Sequence, residues 1–302
     1  MPFRSSILVL LLLGASALAV LADDMKHKDV SCLAVSADGT LAATGGWDKT
    51  IRIWDLAKGK EVRKIEAHTD AVLSLAFSAD GKLLASGSVD KTARVFETAT
   101  GKETAKLAHK AEVQSVAFSP DSKQLLAGCQ DTLARVFDLA TQKEVTKLEG
   151  HKRDVRAVAF SPDAKLLATA SGDETVKLWD ASGKLVRTLE GHQGRITCVA
   201  FSSDGALLAS GATADHSVRL WNVATGESAG VLEEEQPVNA LAFSRDGKRL
   251  ASATMKDVTL WDPQTKAQTK RVECGNARGV AWAEKKLVVA SDGVLRLLEV
   301  KE

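Results

Sequence analysis

From Met25 onward the chain is a succession of short apolar runs, each closed by a cluster of turn-forming residues. One stretch shows the pattern well. "VRAVAF" (Val155–Phe160), "LLATA" (Leu166–Ala170), "TVKLWD" (Thr175–Asp180) and "KLVRTL" (Lys184–Leu189) are β-favouring runs divided by "SPDAK", "SGDE" and "ASGK". Their length and spacing predict four strands joined by tight hairpins. The turn motif Ser-x-Asp-Gly returns at Ser36–Gly39, Ser78–Gly81, Ser202–Gly205 and Ser244–Gly247, and its glycine suits the left-handed position of a hairpin loop. No segment after the first 22 residues keeps apolar side chains at helical spacing over helical length. The strand endings also recur: Trp54-Asp55, Phe96-Glu97, Phe137-Asp138, Trp179-Asp180, Trp221-Asn222, Trp261-Asp262 and, weakly, Leu298-Glu299. Successive intervals are 42, 41, 42, 42, 40 and 37 residues. A period near 40 overrides any estimate of domain number from length and marks a repeat architecture.

The fourth repeat places His151 upstream of Thr169 and Asp173. These are the side-chain types of a hydrolytic triad, in which a base activates a hydroxyl and a carboxylate orients the base. An enzyme needs one such set, however, and this one recurs. His27, Thr44, Asp48 and Trp54 form another, and His192, Ser210, Asp215 and Trp221 a third.

Gly150-His151, Val155–Ser161 and "LLATASGDETVKLWD" (Leu166–Asp180) closely resemble the WD-repeat β-propeller family, and the resemblance extends over nearly all the chain after its N-terminal segment. It implies an all-β, seven-bladed β-propeller of four-stranded antiparallel blades around a central channel. The last blade is degraded and is expected to hold three strands. The resemblance also implies that His151, Thr169, Asp173 and Trp179 form a buried hydrogen-bond tetrad that staples the blade, as do the equivalent sets in repeats 1 and 5. Repeat 2 keeps His68, Ser86 and Asp90 but carries Phe96 for tryptophan. Repeat 3 replaces donor and acceptor together with Phe137 and Ala127. Repeat 6 has Gln236 near the histidine position, and repeat 7 has Val288 and Leu298 for hydroxyl and tryptophan.

Composition narrows the function. Aromatic residues make up 5% of the chain, with no tyrosine, which leaves few stacking platforms for single-stranded nucleic acid. A formal charge of +1 offers no field for nucleic acid or an anionic membrane. At the N-terminus Arg4 precedes an apolar run of 16 residues, Ile7 to Ala22, ending in small residues before Asp23 and Asp24. This reads as a secretory signal over residues 1–22, followed by the propeller at residues 23–302. The run is shorter than the roughly 20 residues of a spanning helix. The expected product is exported, to the periplasm or the medium, with no stable membrane insertion after removal of the signal. An anchor formed by an uncleaved segment is the alternative. Cleavage after Ala22 is favoured over cleavage after Ala19, because the acidic pair then begins the mature chain. The outer strand of blade 7 would fall at Val20–Met25, so that cut leaves Val294–Val300 as an open edge for a partner or a second copy. Cys32, Cys129, Cys198 and Cys274 form no C-x-x-C pair, and three of them lie in apolar runs. Buried free thiols are expected.

In WD-repeat propellers the positions flanking the first apolar residue of each inner strand, and the residue before the turn aspartate, face partners. By resemblance these are Trp47, Leu73, Val89, Glu112, Gln114, Gln130, Asp154, Arg156, Arg195 and Arg278, with Asp29, Ser31, Ala71, Thr197, Asn239 and Asn276 in the same register. They describe an apolar arc around Trp47, Leu73 and Val89, and a charged arc around Glu112, Asp154, Arg156 and Arg195. An aromatic beside arginines is the composition of interface hot spots. The expected function is therefore a non-enzymatic scaffold that binds a protein or peptide, with no cofactor and no metal. H-E-x-x-H and phosphate-loop motifs are absent from the sequence. Two alternatives remain. Asp29, Glu112, Asp154, Asn239 and Asn276 supply oxygen donors for a metal-dependent channel hydrolase or lactonase, provided that they converge. An intracellular assembly scaffold is the second, should residues 1–22 not be a signal.

Overall fold

The computed structural model describes residues 25–300. The leader reading and both cleavage sites lie outside these residues. The chain is all-β. Six sheets of four strands and one of three follow one another, each an antiparallel meander in sequence order. They are the seven blades of a propeller, the seventh with three strands. In blade 4 the strands are Val155–Phe160, Leu166–Ser171, Val176–Asp180 and Leu185–Leu189, within a residue of the runs read from the sequence.

Local chemistry sets each hairpin. Ser161 Oγ donates to Asp163 Oδ1 at 2.7 Å and accepts the Leu166 amide at 2.9 Å, while Asp163 Oδ1 accepts the Lys165 amide at 3.1 Å. The same knot forms at Ser36, Ser78, Ser119, Ser202 and Ser244. Four of these turns place glycine in the left-handed region, but in blades 3 and 4 Ser122 (φ 60°) and Ala164 (φ 59°) take that place. The Ser–Asp knot holds the turn there without glycine.

The second and third strands are buried on both faces because blades stack face to face. Their small residues follow from that. A Cβ on Gly45 would lie 2.6 Å from Val72 Cγ1 of the next blade, and one on Gly211 would lie 2.5 Å from Val238 Cγ1. Each core is thus shared between neighbours: Val176 and Leu178 of blade 4 pack with Ile196 and Trp221 of blade 5. All four cysteines are free, and burial pushes the Cys32, Cys129 and Cys198 thiols up to about 12. They serve as small apolar side chains.

The ring closes through Met25–His27. The Leu295 amide donates to Met25 O at 3.0 Å, the His27 amide donates to Gly293 O at 2.8 Å, and Lys26 bridges antiparallel to Val294. Met25 is fully buried in the core that joins blades 1 and 7. Among the described residues the pairing includes Met25, the last residue of the segment expected from the sequence, and continues beyond it to His27. Blade 7 remains three-stranded, and past Leu295 its third strand, Val294–Glu299, has no further ladder partner among the described residues.

Candidate protein-interaction face

Five of the six histidines lie just before an inner strand, and four of these build polar networks of one design. In blade 4 Trp179 Nε1 donates to Thr169 Oγ1 at 2.8 Å, Thr169 lies 2.7 Å from His151 Nε2, and His151 Nδ1 lies 2.9 Å from Asp173 Oδ2. Because the indole is a donor only, the hydroxyl hydrogen points to Nε2, and the Nδ1–H is left for Asp173. Blade 5 repeats this with Trp221, Ser210, His192 and Asp215 at 2.8, 2.8 and 2.7 Å. In blade 1 Trp54 donates to Thr44 at 2.8 Å, but the ring of His27 is reversed, with Nδ1 at Thr44 (2.8 Å) and Nε2 at Asp48 (3.0 Å). His27 stands three residues before its strand at Val30, whereas His68, His151 and His192 stand four before theirs. Blade 2 keeps His68–Ser86 at 2.6 Å and His68–Asp90 at 2.8 Å, with Phe96 in place of the indole. Thr169 and Ser210 are fully buried, and their hydroxyls are spent within the blade. These sets join strands and have no nucleophile to offer a substrate.

Burial lowers the His27, His68 and His192 pKa values, against the neighbouring carboxylates that raise them. Burial pushes the Asp48 carboxyl up, yet the His27 and Thr50 donors outweigh it and hold it at about 2. The resting state is a neutral imidazole beside an ionised carboxylate.

Two blades depart from the sequence reading. In blade 6 the histidine position belongs to Glu234, four residues before Val238, and not to Gln236. Trp261 Nε1 donates to Ser252 Oγ at 2.8 Å, and Ser252 donates to Glu234 Oε1. Thr259 donates to Glu234 Oε2 at 3.2 Å, and Arg271 Nη2 lies 3.3 Å from it. The tetrad is thus present, with a carboxylate at its centre and an arginine behind. In blade 3 His109 occupies the position that the sequence reading passed over, so the loss there is not matched. Its Nδ1 lies 3.2 Å from Cys129 Sγ, while its buried Nε2 meets no partner, and Ala127 stands at the strand position that Ser86 holds in blade 2. Counting back four residues from Val113 and Val238 was the available signal. Ala127→Ser would copy blade 2, where a serine serves the histidine beside a phenylalanine. It is expected to raise unfolding stability by about 1 kcal/mol, read from urea midpoints, because it satisfies a buried donor or acceptor. An unchanged or lower midpoint would show that the hydroxyl does not reach Nε2. Blade 7 has Val288 and Leu298 in a wholly apolar setting, as read from the sequence.

The positions named for the rim come together on one face through two devices. The first is a backbone bond from the turn before each aspartate to the residue that precedes the inner strand. Trp47 N donates to Asp29 O at 2.8 Å, Val89 N to Ala71 O at 3.0 Å, Gln130 N to Glu112 O at 3.0 Å, Gly172 N to Asp154 O at 2.9 Å and Thr213 N to Arg195 O at 3.0 Å. The second is a β-bulge at the second residue of every inner strand. A bulge re-aims the side chain at that point, and here it lines the channel with Ser31, Leu73, Gln114, Arg156, Thr197, Asn239 and Arg278. Trp47 is 61% exposed, Gln130, Arg195 and Arg278 are exposed, and Val89, Glu112, Gln114 and Asp154 are half-buried. Two expectations are corrected. Ala71 is buried under its turn, and Leu73 lines the channel instead of extending an apolar arc from Trp47.

The oxygen donors considered for a cation are spread apart. Only Asn239 among the five lines the channel, and its amide donates to Ala277 O at 2.9 Å. Asp154 pairs with Arg156 at 2.6 Å, and Glu112 accepts from Gln114 at 3.0 Å. Among the described residues no group of three or more His, Cys, Asp or Glu side chains is placed to hold a metal ion.

Seven meander blades, hydrogen-bonded tetrads inside them and a stitched face around a channel define a propeller of the repeat type. The family model for the WD domain, G-beta repeat, matches residues 21–55, 59–97, 101–138, 142–180, 183–222 and 226–262, and the chain belongs to that family. Similar stretches occur in the small ribosomal subunit protein RACK1z of Arabidopsis thaliana, 50% identical over 40 residues that make up 13% of this chain and 12% of that protein. The BEACH domain-containing protein B of the same plant is 46% identical over 46 residues, 15% of this chain and 2% of that protein. The small ribosomal subunit protein RACK1 of Drosophila melanogaster is 50% identical over 34 residues, 11% of each chain. The chain thus covers about an eighth or less of the length of these relatives, roughly one repeat.

Proposed function

We propose that this chain is an exported, non-enzymatic scaffold that binds a protein or peptide partner on the face carrying Trp47, the stitched turns and the channel mouth. One observation carries the reading. The backbone bonds from Trp47, Val89, Gln130, Gly172 and Thr213 fix five turns to the inner strands, so the face is rigid while its side chains vary freely from blade to blade. A rigid face that carries an exposed tryptophan and exposed arginines loses little entropy on binding and offers hot-spot residues. The family supports this use, and the apolar run before Asp23 supports export.

The test is capture of partners by proximity labelling in the native compartment, followed by binding with purified protein. Trp47→Ala combined with Arg195→Ala is expected to weaken capture at least tenfold. Both side chains are exposed, so stability should move by no more than about half a kcal/mol. Full binding by this variant, or a large fall in its melting temperature, would overturn the assignment.

A further inference from the structure

We infer that the channel mouth is a carboxylate-binding site, and that it seats an acidic side chain of an extended peptide between Arg156 and Arg278. This deepens the reading of the face as a binding surface and rests on it.

The seven bulged residues at the mouth divide by what their polar atoms already do. Ser31 donates to Gly45 O at 3.0 Å and to Val72 O of the next blade. Thr197 donates to Gly211 O at 3.1 Å and to Val238 O at 2.5 Å, and Asn239 donates to Ala277 O. These three stitch neighbouring blades, the hydroxyls of Ser31 and Thr197 being spent on backbone carbonyls and the Asn239 amide held by Ala277. The arginines are different. Each is held by the residue two places earlier. Asp154 Oδ2 accepts from Arg156 Nε at 2.6 Å. Asn276 lies beside Arg278, and the amide orientation that satisfies both groups lets its oxygen accept from Arg278 Nε at 3.3 Å and Nη2 at 3.2 Å. In Arg156 the outer edge of the guanidinium stays open, and in Arg278 the Nη1 end does. A guanidinium fixed through Nε presents its remaining donors in the geometry that suits a carboxylate.

Electrostatics points the same way. Arg156 and Arg278 are the only charged groups among the described residues that line the channel. The carboxylates of Asp154 and Glu112 stand outside that lining. An anion entering from the face meets two guanidinium groups in a lining that is otherwise uncharged, made of residues such as Ser31, Gln114, Thr197 and Asn239. The two arginines stand on blades 4 and 7, three blades apart, so one carboxylate held by both would be drawn toward the channel axis. The cavity, about 280 Å³, is at or below the small end of ligand pockets. It suits one side chain and not a drug-sized molecule.

The test uses an acetylated, C-terminally amidated hexapeptide with two adjacent glutamates, its twin with two glutamines, the same twin with a free C-terminal carboxylate, and inorganic phosphate. Binding to the full chain is measured by fluorescence polarisation or calorimetry. The glutamate peptide is expected to bind at least tenfold tighter than each of the others, and to weaken as salt rises. Arg278→Gln is expected to weaken it tenfold or more with no change in melting temperature. Arg156→Gln should do the same, but it also releases Asp154, so Arg278→Gln is the deciding variant. Equal binding of the glutamate and glutamine peptides, or full affinity in Arg278→Gln, would overturn the inference. So would equal or tighter binding of phosphate or of the free C-terminus, since either names another anion source. If a captured partner depends on Trp47 and Arg195 while neither channel arginine matters, the inference falls and the proposed function stands.

Discussion

Glu234→Ala is expected to destabilise the propeller by about 3 kcal/mol, one of the largest effects of any single polar substitution in the chain. The side chain is fully buried, and it accepts hydrogen bonds from Ser252 and Thr259 and pairs with Arg271. Removing it strands two buried hydroxyls, and each such group costs about 1–3 kcal/mol. Arg271 is not left alone, because Glu235 lies 2.5 Å away and Asp257 3.6 Å away, which limits the damage. Glu234→Gln keeps one acceptor for Ser252 and should cost about half as much. The informative control is Gln236→Ala, at the position the sequence pointed to. It should change stability by no more than about half a kcal/mol, as for an ordinary surface change. Urea midpoints for the three variants decide between the two positions, and a larger loss at Gln236 would overturn the assignment of blade 6.

Acid should loosen the fold well before the carboxylates are protonated. His27, His68, His109 and His192 all have folded-state pKa values below their ordinary 6.5, through burial first. For His109 burial, reinforced by the Arg135 charge, brings the value down to about 4. A base with a lowered folded pKa is protonated first in the unfolded chain. Stability is therefore fully present above pH 6.5 and drains away as pH falls toward the folded value. His109 alone should account for about 3 kcal/mol by pH 4. Glu234 acts in the opposite sense: burial raises its pKa, so the folded state gains protons first, and some stability returns as pH falls toward 4.5. The lowered carboxyls, such as Asp48 at about 2, add their losses only below pH 3.8. The net expectation is a urea midpoint that falls steadily from pH 6.5 to pH 4, with a shallower slope in His109→Gln. A flat profile, or one unaltered in that variant, would contradict the buried neutral histidine.

Whatever repeats was readable in the chain. The spacing of Trp54, Phe96, Phe137, Trp179, Trp221 and Trp261 carried the blade count, and the Ser-x-Asp turns carried the strand boundaries, because both are local rules applied many times over. The tetrads of blades 1, 4 and 5 were legible for the same reason. Blade 6 was not, since the eye looks for histidine and Glu234 reaches the same hydroxyl by different chemistry. Its role depends on Thr259 and Arg271 folding back around it, and both lie more than 20 residues downstream. His109 was hidden by the loss of its serine, and only its burial edge-on to Phe137 reveals its unmatched nitrogen.

The sequence by itself determined an all-β ring of seven blades, the weak last blade, the free thiols and the set of residues that surround one face. The tertiary structure alone decided which of those residues look inward. Strand alternation would send every second side chain to one side of a regular sheet, but the bulge in each inner strand breaks that count and turns Leu73, Arg156 and Arg278 into the channel. Ring closure by the N-terminal segment was expected from the sequence at Val20–Met25, and the structure added its continuation through Lys26 and His27. Met25 is buried, and its carbonyl accepts the Leu295 amide, because the first and last blades meet only once the circle is complete.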